Sequence, residues 1–189
     1  MTGGGSNVAL GTNALSSVFS GAGNTAIGYG ALIKNNGGEH VAVGYMAMGG
    51  GGSVTSSLHN VVIGGRAGYL LGSGNDNVFI GYGAASTTTS GSSNIVIGNN
   101  IRFSSTTASN LMSIGNLIFG TGINGTLTNV SSGNIGIGTS TPYSRLTVWG
   151  PDSAASTSAL RVWAQSNFGQ ELLFGFRGGP IYVWDAALG

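Results

Sequence analysis

The chain has no cysteine, which removes disulfides and thiolate metal sites and leaves the redox compartment unreadable. Charge is nearly as scarce: charged residues are 6% of the 189, against about 25% in ordinary globular domains. The formal net charge is +1, so nothing electrostatic points to nucleic acid or to an anionic membrane, and neither is expected as a partner. No run approaches the ~20 apolar residues of a spanning helix, so no membrane insertion is expected either. The opening text MTGGGSNVALG lacks a basic n-region and an apolar h-region; it predicts no signal peptide and favours assembly in a cytoplasm. With so few charges, a lone chain cannot keep much apolar surface in solution. Other copies of the chain are expected to cover part of it, with Ser, Thr, Asn and Gly on the rest.

What is present is glycine and repetition. Glycine is 37 of the 189 residues, without the every-third-position rule of collagen, and hydrophobic residues reach 41%, too many for a disordered polar chain. NVALGTNAL (7–15) returns as NTAIGYGAL (24–32), HVAVGYMAM (40–48), NVVIGGRAG (60–68) and NVFIGYGAA (77–85). Aligned on Gly11, Gly28, Gly44, Gly64, Gly81, Gly98, Gly115 and Gly138, the intervals are 17, 16, 20, 17, 17, 17 and 23. A dominant beat of 17 residues with insertions is the mark of a stacked repeat. Apolar residues recur at i, i+2, which is a strand period, and the many glycines oppose helix at ~1 kcal/mol each relative to Ala.

These features predict an all-β chain: a parallel β-solenoid or β-roll of stacked coils, eight in number. Each coil would hold two short strands, the second being the "GAL" part. Alternation places Val8/Leu10, Thr25/Ile27, Val41/Val43, Val61/Ile63, Val78/Ile80 and Ile95/Ile97 on one face. All but Thr25 are aliphatic, so this is expected to be the inner face. Asn7, Asn24, Asn60, Asn77 and Asn94, with the small residues two places on, fall on a face expected to be partly wetted. In a stack the asparagines form a column able to hydrogen-bond along the rod. The column Gly11, Gly28, Gly44, Gly64, Gly81 and Gly98 permits tight corners. Three regions follow: repeats over 1–118, an irregular last coil and junction over 119–142, and a small β unit over 143–189. That last unit contains Trp149, Trp163 and Trp184 and is expected to cap the open end of the stack.

The NxAIGxxAL copies resemble the β-roll heads of trimeric autotransporter adhesins and related phage tail-fibre repeats. The segment GNIGIGTSTPYSRLTV (133–148) resembles the junction that precedes endosialidase-type chaperone domains in fibres. The resemblance covers roughly 7–148. It implies a homotrimer on a virion tail or cell surface, serving host or surface attachment through a receptor or glycan. A self-assembling extracellular filament without a receptor role is the rival from another class.

Little supports catalysis, and the chain is not expected to be an enzyme or to hold a cofactor or metal. Acid–base work needs positioned titratable groups, and a glycosidase needs two carboxylates about 5–9 Å apart. Only five acids exist. Glu39 and His40 are adjacent and point to opposite faces of a strand, with His40 taking the asparagine position as a structural replacement. GTGING (120–125) fits a dinucleotide fingerprint but opens no helix. GSGNDN (72–77) has one Asp, too few oxygens for calcium. Asn124 and Asn129 lie in glycosylation sequons. Tyr29, Tyr45 and Tyr82 each follow a repeat glycine and would stack in a column interrupted at Gly65. Such a column suits sugar rings, but tyrosine is also enriched at subunit interfaces, and packing is the first expectation.

Overall fold

The computed structural model describes residues 5–17, 20–34, 36–50, 57–126 and 129–148, with the backbone of three further strands between 167 and 185. Seven strands stack in parallel: β1 (Val8–Leu10), β2 (Thr25–Ile27), β3 (Val41–Val43), β4 (Val61–Ile63), β5 (Val78–Ile80), β6 (Ile95–Ile97) and β7 (Leu111–Ile114). Like positions pair directly, for example Val78↔Ile95 and Ile80↔Ile97, as a repeat in register requires. There is no helix among the described residues. At ~4.8 Å per step the parallel ladder is about 29 Å long.

Each coil holds one strand, and the expected second strand is a turn. After the repeat glycine the chain closes a four-residue turn, Ala31 N–H to Gly28 O and Ala84 N–H to Gly81 O. Leu15, Leu32, Met48 and Ala85 then enter the left-handed region, at φ 48–51°. Hydrogen bonding between coils continues through this turn, from Leu32 N–H to Ala47 O and from Met48 N–H to Ala67 O. The backbone is thus satisfied coil to coil without a second sheet.

The inner face is the reverse of the one expected. Ala26, Ala42, Val62, Phe79 and Val96 are fully buried, together with Asn24, His40, Asn60, Asn77 and Asn94. They pack against Leu32, Met48, Ala67, Leu71 and Ala85 from the turns. The aliphatic alternates are left partly open, with Ile63 at 39% and Leu10 at 65% exposure. Two physical reasons explain the inversion. The interior of each coil is filled by the central strand residue, from Ala26 to Phe79 in size, together with turn residues such as Leu32 and Met48, which leaves no room for the flanking aliphatics. Asparagine can be buried because every one of its polar atoms finds a backbone partner.

The parallel stack ends at β7. From there β8 (Ile118–Thr121) and β9 (Asn134–Ile137) pair antiparallel, β7 to β8 and β8 to β9. The copy at Gly115 therefore supplies the last parallel strand without completing a coil, the copy at Gly138 joins only through antiparallel β8, and the solenoid has about six coils rather than eight. The cause lies just after β7, where Gly115 takes φ 60° in place of the 124–138° of the earlier repeat glycines and Asn116 follows at φ 57°. Leu117 N–H donates to Ile114 O, a tight turn that sends the chain back antiparallel. Leu111, which has no amide side chain, lands on the asparagine position and ends the ladder, donating its N–H to Asn94 Oδ1. A short β10 (Leu146–Val148) closes this sheet.

The chain divides into two compact units, 1–147 and 148–189. In the second, β11 (Asn167–Phe168), β12 (Glu171–Gly175) and β13 (Ile181–Asp185) form an antiparallel sheet. The strand-like run at 159–165 and the loop at 51–56 lie outside the described residues, as do the tryptophan side chains.

Candidate functional site

Three columns of side chains run up the stack, and each begins in the sequence period. The innermost is the asparagine ladder. Each Oδ1 accepts the N–H of the next column residue: Asn7 from Asn24 at 2.8 Å, Asn24 from His40 at 3.0 Å, Asn60 from Asn77 at 2.9 Å and Asn77 from Asn94 at 3.0 Å. Each Nδ2 donates to a carbonyl 13 or 14 residues on: Asn24 to Gly37 O at 3.1 Å, Asn77 to Gly91 O at 2.9 Å. The ladder runs mainly from side chain to backbone. One direct amide–amide bond, Asn77 Nδ2 to Asn60 Oδ1 at 3.0 Å, joins it.

His40 keeps the ladder intact by imitation. Its Nδ1 stands where an asparagine has Oδ1 and accepts the Asn60 N–H at 3.1 Å. That role requires Nδ1 to be unprotonated, which leaves the proton on Nε2, 3.2 Å from Ser57 Oγ. Burial is the main cause lowering the His40 pKa from 6.5 to about 4; a hydrogen bond to the Ser57 backbone opposes it and the nearby His59 adds to it. The buried ring is neutral at physiological pH.

One residue before the ladder, the chain turns a left-handed corner at Ser6, Glu39, His59, Asp76, Ser93 and Asn110, with φ between 54° and 62°. Stacking sets His59 between two acids, its Nε2 3.3 Å from Glu39 and its Nδ1 3.2 Å from Asp76. All three are largely exposed, so solvent screens the row and it adds little stability. Among the described residues no group of three His, Asp or Glu is arranged to hold a metal. The GTGING segment leaves β8 as a loop, and Asn124 Oδ1 there accepts the Ser132 N–H.

The third column follows the repeat glycine. Tyr29 and Tyr45 stack with ring centroids 5.5 Å apart and planes 13° from parallel. Gly65 interrupts the column, and the Tyr82 ring lies over it: a Cβ added at Gly65 would stand 3.3 Å from Tyr82 Cδ2. All three tyrosines are about half exposed, between 49% and 55%. One element escaped sequence reasoning. Arg66, Tyr69, Tyr82, Asn100 and Arg102 line a cavity of about 170 Å³, with the Arg66 guanidinium 5.5 Å from the centre of the Tyr69 ring. Its signal was the break at Gly65 and the arginine after it.

The remaining surface feature is the aliphatic face of β1–β6, with two branched side chains per coil and no charge. Its open residues include Val8, Leu10, Ile27 and Ile63. Fold and surface together define a parallel β-solenoid repeat protein with an apolar sheet face left partly open among the described residues. Compared with family models, curated proteins and solved structures, the chain gives no match.

Proposed function

We propose that this chain is a non-enzymatic structural segment of a fibre or adhesin head, displayed on a virion tail or cell surface for attachment. Three copies pack around their aliphatic faces. The observation that carries the reading is the inverted sheet. Each coil buries its asparagine and the central residue of its strand and turns the flanking valines and isoleucines outward, where a second surface must cover them. The stripe is about 29 Å long and one strand wide, uncharged and continuous, which is how association surfaces differ from scattered apolar residues. Each side chain covered would add on the order of 1 kcal/mol. Three-fold packing rests on the likeness of the NxAIGxxAL copies to trimeric heads.

The alternative, an open filament of coils stacked end to end, needs parallel edges at both ends. The outer edge of β1 has no partner strand among the described residues, but β7 is covered by the antiparallel β8, which weighs against that alternative. Native mass measurement with negative-stain microscopy tests the proposal. A trimer mass and discrete short rods are expected. A monomer, or fibres of indefinite length, would refute it.

A further inference from the structure

The geometry points to an acidic-sugar site at the break in the tyrosine column, where Arg66, Tyr82 and Arg102 hold a carboxylate-bearing sugar ring. This rests on the attachment half of the reading above, whose ligand class it names, and not on the number of chains.

The argument begins with charge. The described residues contain four lysine and arginine side chains, Lys34, Arg66, Arg102 and Arg145, and two of them line this one cavity. Arg145 is occupied, donating from Nη1 to Ser131 O at 2.8 Å. Arg66 and Arg102 form no ion pair among the described residues. The two acids whose side chains are described, Glu39 and Asp76, are both engaged by His59. In a chain with so little charge, two arginines that line one cavity without an ion pair among the described residues suit an anion.

The walls specify what carries the anion. The Tyr69 ring packs over Gly50, where an added Cβ would collide with it, and the backbone that carries it is tied by the Gly50 N–H to Tyr69 O bond of 2.8 Å. Tyr82 leans over Gly65 because no ring fills that place. One tyrosine is thus fixed and one is half exposed, and both present apolar ring surface. Asn100 and Ser86 add amide and hydroxyl partners suited to sugar hydroxyls. At about 170 Å³ the cavity is smaller than the 300 Å³ or more that drug-sized ligands occupy. It takes one pyranose ring and leaves larger substituents in solvent. Bare phosphate would leave the tyrosine faces unused. Arg102 also lines a neighbouring cavity of about 440 Å³ with Phe103 and Phe119, so an acidic oligosaccharide has a path for its next residue.

Saturation-transfer NMR and calorimetry on the assembled protein test this with four probes: glucuronic acid, N-acetylneuraminic acid, glucose and inorganic phosphate. The sugar acids are expected to receive saturation at ring protons and to bind at least tenfold more tightly than glucose or phosphate. Raising the salt should weaken them. Arg66→Ala combined with Arg102→Ala should weaken the acids at least tenfold. Gly65→Tyr, which restores the missing ring and displaces Tyr82, should block binding with the coils intact. Circular dichroism and native mass on the same samples separate loss of the site from loss of the assembly. No binding by intact wild-type protein would overturn the proposal, as would equal binding of glucose, phosphate binding as tight as the acids, or an unaffected double arginine variant. Binding that survives the arginine changes would leave attachment standing and remove only this site.

Discussion

At the scale of single residues, the fold depends on polar atoms that have exchanged water for one fixed partner each. Asn77 is fully buried and serves three neighbours, accepting the Asn94 N–H and donating to Gly91 O and Asn60 Oδ1. Asn77→Leu fills the space and leaves a buried N–H and C=O unpaired, at about 1–3 kcal/mol each. A loss of about 3 kcal/mol in urea unfolding is expected, and a change below 0.5 kcal/mol would remove the ladder's energetic role. His40 gives a pH prediction. Its folded pKa, about 4, lies below the 6.5 of an unfolded histidine, so between these values the unfolded chain binds the extra proton. The contribution is full above pH 6.5 and is lost as pH falls toward 4, by about 3 kcal/mol in all. His40→Asn, which restores an amide acceptor, should be less sensitive to acid than the wild type when urea midpoints at pH 7.5 and 4.5 are compared. The comparison subtracts the exposed Glu39–His59–Asp76 row, which both proteins keep.

At the scale of the element, strand and turn are set by the repeat glycine. Gly44 has φ 132°, and an added Cβ would stand 2.7 Å from the carbonyl carbon of Gly64 on the next coil. Gly44→Ala adds backbone strain of about 1–2 kcal/mol to an overlap costing about 1–3 kcal/mol. Loss of the parallel coil signal in circular dichroism is expected. Gly115 has φ 60° with open space around it, so Gly115→Asn should leave the unfolding midpoint within ~0.5 kcal/mol, asparagine being at home in that region. The period, the asparagine column and the glycine column were legible in the text because equivalent sites in a stack demand equivalent residues. Which strand face is inner was not. Val78 and Ile80 read as core by hydrophobicity and Asn77 as surface, because that rule assumes one chain buries its own apolar residues. The reversal after β7 was hidden for another reason: NLMSIG and NIGIG keep the repeat's composition, and the direction is decided by the conformation of Gly115 and Asn116 between them. Of the candidate site, the tyrosine column was readable. Its arginines were not, because Arg66 and Arg102 lie 36 residues apart in sequence and meet only through stacking.

At the scale of the whole molecule, two neighbouring substitutions separate folding from assembly. Phe79 is buried within the coil and Ile80 lies on the outward aliphatic face. Phe79→Asp places a charge among apolar neighbours and should abolish the fold, with loss of all cooperative unfolding. Ile80→Asp should leave each coil formed and yield a folded monomer by native mass. A fully assembled Ile80→Asp protein would mean that the outward stripe is not where copies meet. The reversal between β7 and β8 has a last consequence. Each rung touches only the rungs directly above and below, and the turnaround forbids another from being appended after β7. Extra length must therefore be spliced in upstream: a duplicated 17-residue passage between residues 24 and 98 would lift everything beyond it by ~4.8 Å and disturb neither flank. The reach of the molecule is thus a count written into its own text, adjustable by copying a phrase and needing no redesign of either end.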